Sequence, residues 1–154
     1  MKRTRVAGLI EIDNGYALMH RMNVKEKVGT DAPFGEYYVF PGGGVEPSDS
    51  SYEDAVKREV LEEFGINVEV IKKLYYRQIN DDIDEYLFLC KYISGTFGSG
   101  KGPEFTDDPR YVDRGIYSPE IIPKEKIKDL RVYPEEFKEK LLKDISLYDE
   151  KNGF

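Results

Sequence analysis

The stretch PGGGVEPSDSSYEDAVKREVLEEFGI, residues 41–66, constrains this chain more than any other. A glycine-rich turn leads into a helix whose two ends are both marked. Ser50, with Glu53 three residues on, reads as a capping box: Ser50 accepts from the backbone and Glu53 reaches back. Gly65 suits the left-handed position after the last turn, and Ile66 can fold back onto it. The expected helix covers residues 51–64. At about 100° per residue, Val56, Val60 and Phe64 form its buried stripe. Glu59 and Glu63 flank that stripe, Glu63 closely, and Glu62 points nearly away from it.

Glutamates on a helix are usually a solvated face. Two acids bordering the core beside a third serve solvation poorly, because they repel each other unless a cation sits between them. Arg58 is one counter-charge and a metal ion is the other. Glutamates at i, i+3 and i+4 project from one side of a helix and can converge on one cation. Carboxylates are the ligands a hard divalent ion prefers, usually a few of them together with substrate phosphates. PGGG ahead of the helix supplies backbone without side chains, able to approach a ligand closely.

These residues resemble the box of the Nudix hydrolases, G-x5-E-x7-R-E-U-x-E-E-x-G-U with U aliphatic. Arg58, Glu59, Val60, Leu61, Glu62, Glu63, Phe64, Gly65 and Ile66 match its second half throughout, and YYVFPGGGVE looks like the strand and loop that precede it. The first half departs from the pattern. Counting back from Arg58 puts Gly44 at the glycine and Ser50 at the family's Glu; counting forward from Gly43 puts Asp49 there, with one residue too many before Arg58. The extra residue is best placed in the loop between Gly43 and Ser50, since an insertion in the helix would turn the acidic face by about 100° against the core. The family's first Glu is then supplied weakly by Asp49, or not at all.

The resemblance implies an α+β fold, the Nudix α/β/α sandwich with a mixed sheet. Element order gives the same answer: strands first, one helix in the middle and one at the end. Arg5–Ile12 and Tyr16–Met22 read as strands joined by the Asp13-Asn14-Gly15 turn. Residues 24–36 read as loop, and Tyr37–Phe40 as a strand feeding the glycine turn. Asn67–Tyr76 and Ile83–Ser94 are strands around the acidic turn at Asp81 and Asp82. FGSGKGPEFTDDPR reads as a long loop, mobile in composition. A short strand at Pro119–Pro123 and a helical turn at 124–129 precede a final helix. Pro134 takes its first position and it runs to about Leu147, with Phe137, Leu141, Leu142 and Ile145 at helical spacing.

With 154 residues and no repeats, the chain is expected to form a single domain over residues 1–154. The apolar runs are too short for a membrane span or a signal-peptide core. The lone Cys90 excludes an internal disulfide and reads as a buried, inert thiol. Together these point to the cytoplasm, with no membrane partner. A net charge of -7 argues against a nucleic-acid polymer as partner. It also opposes a phosphate substrate unless cations come with the phosphates, so strict metal dependence is expected.

The expected reaction is hydrolysis of a phosphoanhydride in a nucleoside diphosphate linked to another group X, with Mg2+ or Mn2+ as the metal. A nucleoside triphosphate, oxidised or not, is the preferred small-molecule substrate, and the protein is expected as a monomer or homodimer. Glu59 and Glu63 lead as metal ligands. Glu62 is a third ligand or the acceptor of the water's proton, and Arg58 orients an acid. Gly43 and Gly44 offer backbone to metal or phosphate. Among the loop acids Glu104, Asp107 and Asp108, Glu104 is the preferred further catalytic acid, though a solvated loop is the commoner reading of each. Arg21 either meets a phosphate or is an exposed edge charge. Tyr38 and Phe40 alternate onto a core face, and His20, the only histidine, reads as structural. Two rival readings remain: a nucleotide-sensing module on the same fold, and an interaction protein with an acidic helix.

Overall fold

The computed structural model describes residues 3–24, 35–101 and 115–144. Strand β1 (Arg3–Ile12) turns into β2 (Gly15–Val24) with Ile12 opposite Gly15. The two turn residues take positive φ, 52° at Asp13 and 65° at Asn14. That is the mirror-image turn whose twist matches a two-residue hairpin, and Asp and Asn tolerate it best after glycine. A second hairpin joins β5 (Ile66–Asn80) and β6 (Ile83–Gly95), as the turn at Asp81 and Asp82 predicts. The remaining strands are β3 (Gly35–Val39), β4 (Gly42–Gly44), β7 (Ile116–Pro123) and β8 (Val132–Tyr133).

Among the described residues these eight strands form one sheet in the order β5-β6-β1-β2-β3-β8, with β4 paired to β1 and β7 to β2. The sheet is mixed, since β6 runs parallel to β1 and β8 parallel to β3. Alternation along β1 divides the core in two. Val6 and Ile10 join one cluster with Ala55, Val56, Val60 and Phe64 of helix α1 (Tyr52–Phe64). Ala7 and Leu9 join the other, with Ile127 of a 3-10 helix (Lys124–Asp129) and Phe137 and Leu141 of α2 (Glu135–Lys143). The layers are therefore helix, sheet and helices, the expected α/β/α arrangement. Val56, Val60 and Phe64 are each fully buried. Burial of each contributes about 1.5–3 kcal/mol, and this is what fixes the rotation of α1.

Four details differ from expectation. The glycine run is not only a turn. It is strand β4, with Gly42 opposite Ala7 and Gly43 opposite Val6. Strand β8 was not foreseen either, because two residues carry no periodicity. The α1 cap is Ser51, not Ser50: the Ser51 side chain accepts from the Asp54 N–H at 3.0 Å. Pro134 stands just before α2 and not inside it. The expected extension of that helix through Ile145 to Leu147 lies outside the described residues.

Candidate active site

Strand β4 passes along the acidic side of α1. The Gly42 N–H donates to Glu63 Oε2 at 2.9 Å. A Cβ at Gly43 would overlap the Glu59 carboxylate, so only glycine lets that acid lie against the strand. At Gly42 a Cβ would run into the Val6 carbonyl and the Ala7 backbone. Pairing with β1 therefore also demands a bare backbone there. Gly44 meets nothing in the same test, so its glycine is not required by packing. Glu63 is buried at 9% exposure, and the Glu59 side chain is 13% exposed. The Glu62 side chain, 40% exposed, turns instead toward Arg58 at 3.5 Å. The structure thus brings Glu59 and Glu63 together on the glycine strand and leaves Glu62 on the outer side. Among the described residues, no three His, Cys, Asp or Glu side chains stand close enough to hold a metal as a set. Glu62 stands apart from the other two because β4 packs against one flank of the helix.

Arg58 knits the start of the box to its end. Its Nε donates to Asp49 Oδ1 and its Nη2 to Asp49 Oδ2, each at 2.9 Å. Nη2 also donates to the Gly44 carbonyl at 3.2 Å, and Nη1 lies 3.4 Å from both Glu59 and Glu46. Asp49 is held by the Glu46 N–H at 2.8 Å as well. The Arg58 bonds hold the Asp49 carboxyl below its ordinary value, against the opposing effect of burial, and the same bonds raise Arg58 above its own. Of the two alternatives for the residue standing in for the family's first Glu, Asp49 is the one bound to Arg58. Asp49 belongs to the loop before α1, and α1 runs as a helix from Tyr52 to Phe64.

A domain model described as "NUDIX domain" matches residues 1–137 of the chain. The chain belongs to the Nudix hydrolase family. Solved Nudix structures agree in fold. A NUDIX hydrolase from Nitrosomonas europaea superposes with a TM-score of 0.59 at 20% identity, covering 98% of this chain and 90% of that one. A MutT protein from Methanosarcina mazei Go1 gives 0.61 at 20% identity, covering 99% and 96%. An ADP-ribose pyrophosphatase from Streptococcus suis 89-1591 gives 0.56 at 16% identity, covering 100% and 94%. No curated protein matches the sequence significantly.

Strands β2, β3 and β7 bring together a second group of polar side chains. Arg21 follows Ala17 and Met19 on the α1 side of the sheet, opposite Tyr37 on β3 and Tyr117 on β7. It is neither at a strand end nor an exposed edge charge. At 4% exposure its guanidinium carbon lies 3.7 Å from the centre of the Tyr117 ring, and Nη1 is 3.5 Å from the Tyr37 hydroxyl. Burial pushes the Tyr37 phenol up, against the opposing charges of Arg21 and Arg131. Neither tyrosine was singled out from the sequence. Only the pairing register places them beside Arg21.

The loop after β6 is less free at its start than its composition suggests. The Gly98 N–H donates to the Phe64 carbonyl at 2.9 Å, and Phe97 packs on Phe64 at 5.0 Å. A Cβ at Gly100 would overlap the Glu62 and Glu63 carbonyls, so this segment closes over the end of α1. Glu104, Asp107 and Asp108 lie outside the described residues. Cys90 is buried, and burial pushes its thiol up to about 12, so it is an inert core residue. His20 is buried, and its two ring nitrogens each meet a carboxylate.

The donor set fits a small divalent cation. Glu63 is bonded to the Gly42 N–H and Glu59 lies against Gly43, so both carboxylates reach the glycine strand, and magnesium needs only one or two carboxylates beside substrate phosphates.

Proposed function

We propose that this Nudix domain hydrolyses a phosphoanhydride in a nucleoside diphosphate linked to another group, with a nucleoside triphosphate as the preferred substrate. One observation carries the reading: the Gly42 N–H holds the Glu63 carboxylate, and the Glu59 carboxylate lies against Gly43, where a side chain would displace it. One buried and one half-buried acid held one turn apart beside a bare strand are costly for a binding surface and useful for holding a cation. Glu59 and Glu63 would hold Mg2+ or Mn2+, which when bound supplies charge neutralisation of the phosphates and a more acidic water. The Gly42 N–H fixes the rotamer of Glu63. Arg58 holds Glu59 in place through its contacts with both Asp49 and Glu59. Glu62, more exposed and tethered to Arg58, is positioned to accept a proton. Arg21 adds a buried positive charge on the substrate side, drawing a polyphosphate by its field. Glu104 is proposed as a further acid acting from its loop. The name of the Streptococcus suis neighbour, an ADP-ribose pyrophosphatase, involves the same kind of bond.

The test is phosphate release over a broad nucleotide panel with Mg2+ or Mn2+, with Glu63→Gln run in parallel. Turnover of at least one nucleotide that vanishes with chelator and in the variant is expected. Nucleotide binding without turnover across the whole panel would favour the sensing module instead.

A further inference from the structure

The last turn of α1 carries Glu62 and Glu63, and the chain that follows β6 holds it from outside. Gly65 leads out of the helix into β5, and Gly95, the last residue of β6, stands opposite Ile66 at the start of β5. Residues 96–100 then return over the helix end. The Gly98 N–H donates to the Phe64 carbonyl at 2.9 Å, and the Phe97 ring lies 5.0 Å from that of Phe64. Ser99 folds the segment on itself: its Oγ donates to the Thr96 carbonyl at 2.6 Å, and its N–H to the same carbonyl at 3.2 Å. The fit leaves no room for two side chains. A Cβ on Gly65 would overlap Ser99 Oγ, and one on Gly100 would overlap the Glu62 and Glu63 carbonyls.

We propose that residues 96–100 form a strap that positions Glu63, and that Gly100 is the positioning residue because it sets the closest approach. Glu63 is held at two points. Its carboxylate accepts from the Gly42 N–H at 2.9 Å, and its main-chain carbonyl lies against Gly100. At 9% exposure it has little space in which another rotamer could restore that bond after a backbone shift. Glu62, with its side chain 40% exposed, absorbs the same shift freely. A methyl group on Gly100 must part the strap from the helix by on the order of half an ångström or more, which is the tolerance within which a functional group has to be held. The strap has no free retreat, since Gly95 is paired at its base and Gly98 is bonded at its middle. If the helix turn yields, the bond from Gly42 to Glu63 lengthens. If the strap yields, the Phe64 carbonyl loses its partner Gly98 and the last turn frays, with the same result for Glu63.

The catalytic consequence rests on the hydrolase reading above; the positioning does not, because the Gly42 amide reports on Glu63 without substrate or metal. In Gly100→Ala the Gly42 amide proton should move upfield and exchange about tenfold faster. Phe97→Leu, which loosens the strap without crowding the helix, should move it the same way by less. Gly35→Ala is the control. It strains a backbone at φ 88° on β3, where its Cβ would meet only Arg131 Nη1 at 3.9 Å, and it should leave the Gly42 amide unmoved. Mn2+ binding, read from the paramagnetic resonance of the free ion, should weaken about tenfold in Gly100→Ala. Its kcat on the best nucleotide should fall about tenfold to a hundredfold at saturating Mg2+, the scale of a misplaced group, with the nucleotide KM changed less than about twofold. An unmoved Gly42 amide or an unchanged Mn2+ affinity in a folded Gly100→Ala overturns the proposal, and so does an equal amide shift in Gly35→Ala. If Gly100→Ala does not fold, Phe97→Leu decides by the same two signals. A moved Gly42 amide in a protein whose wild type neither binds Mn2+ nor turns over any nucleotide upholds the strap and removes the hydrolase reading.

Discussion

Replacing Asp49 by Asn tests the link between the loop and the acidic helix. The Asp49 side chain is 5% exposed and receives two hydrogen bonds of 2.9 Å from Arg58. Asn keeps the shape and one acceptor but turns an N–H2 toward a guanidinium that only donates. Removing one partner of a buried charged pair costs about 3–5 kcal/mol. Here Arg58 is 22% exposed and keeps Glu46, Glu59 and Glu62 within 3.5 Å, so solvent and these acids recover part of the loss. The expected cost is about 2 kcal/mol, or a Tm lower by about 4–8 °C for a domain of this size. The sign with pH follows from the depressed Asp49 carboxyl. Its stabilisation is present above the ordinary carboxylate value of about 4 and is lost as pH falls through the lower folded value. The gap in Tm between wild type and Asp49→Asn should therefore be full at pH 7 and narrow progressively below about pH 4. Paired melts at pH 7, 5 and 3 measure it. A gap below about 1 °C at pH 7, or one that does not close in acid, would refute the pairing as the stabilising contact.

Three further outcomes follow from the same geometry. Gly42→Ala should destabilise by about 3 kcal/mol or more, since backbone must move to admit its Cβ, whereas Gly44→Ala should cost under about 1 kcal/mol; denaturant melts of the two compare them directly. Glu63→Gln should melt near wild type but lose turnover on the order of a thousandfold, about 4 kcal/mol of transition-state stabilisation. Mg2+ at a hundredfold excess over Kd should stabilise the wild type by about 2.7 kcal/mol, seen as a raised Tm, and leave this variant almost unmoved. Cys90, with its thiol pushed up to about 12, should resist a thiol reagent at pH 8 in the native protein and react readily in urea; fast labelling of the native protein would contradict its burial.

Much of the fold was legible because its signals are local. The 3.6-residue spacing of Val56, Val60 and Phe64 located α1 and its buried side. Asp13 and Asn14 announced the hairpin, and Gly65 takes the left-handed cap at φ 74°. The match from Arg58 to Ile66 pointed to the family, and the helical wheel correctly set Glu62 apart from the other two acids. What the sequence alone could not determine depends on residues distant along the chain. Whether the glycine run is turn or strand is decided by its pairing with Val6 and Ala7 on β1. Asp49 and Ser50 were both open as the residue at the box's first acid until the loop brought Asp49 onto Arg58, nine positions along. Arg21 was left open between a phosphate contact and an edge charge because a single strand does not show which strands lie on either side of it. Its neighbours Tyr37 and Tyr117, and the two carboxylates around His20, come from β3 and β7, the latter about a hundred residues away. Periodicity encodes which face of an element is buried; only sheet register decides which side chains meet across it.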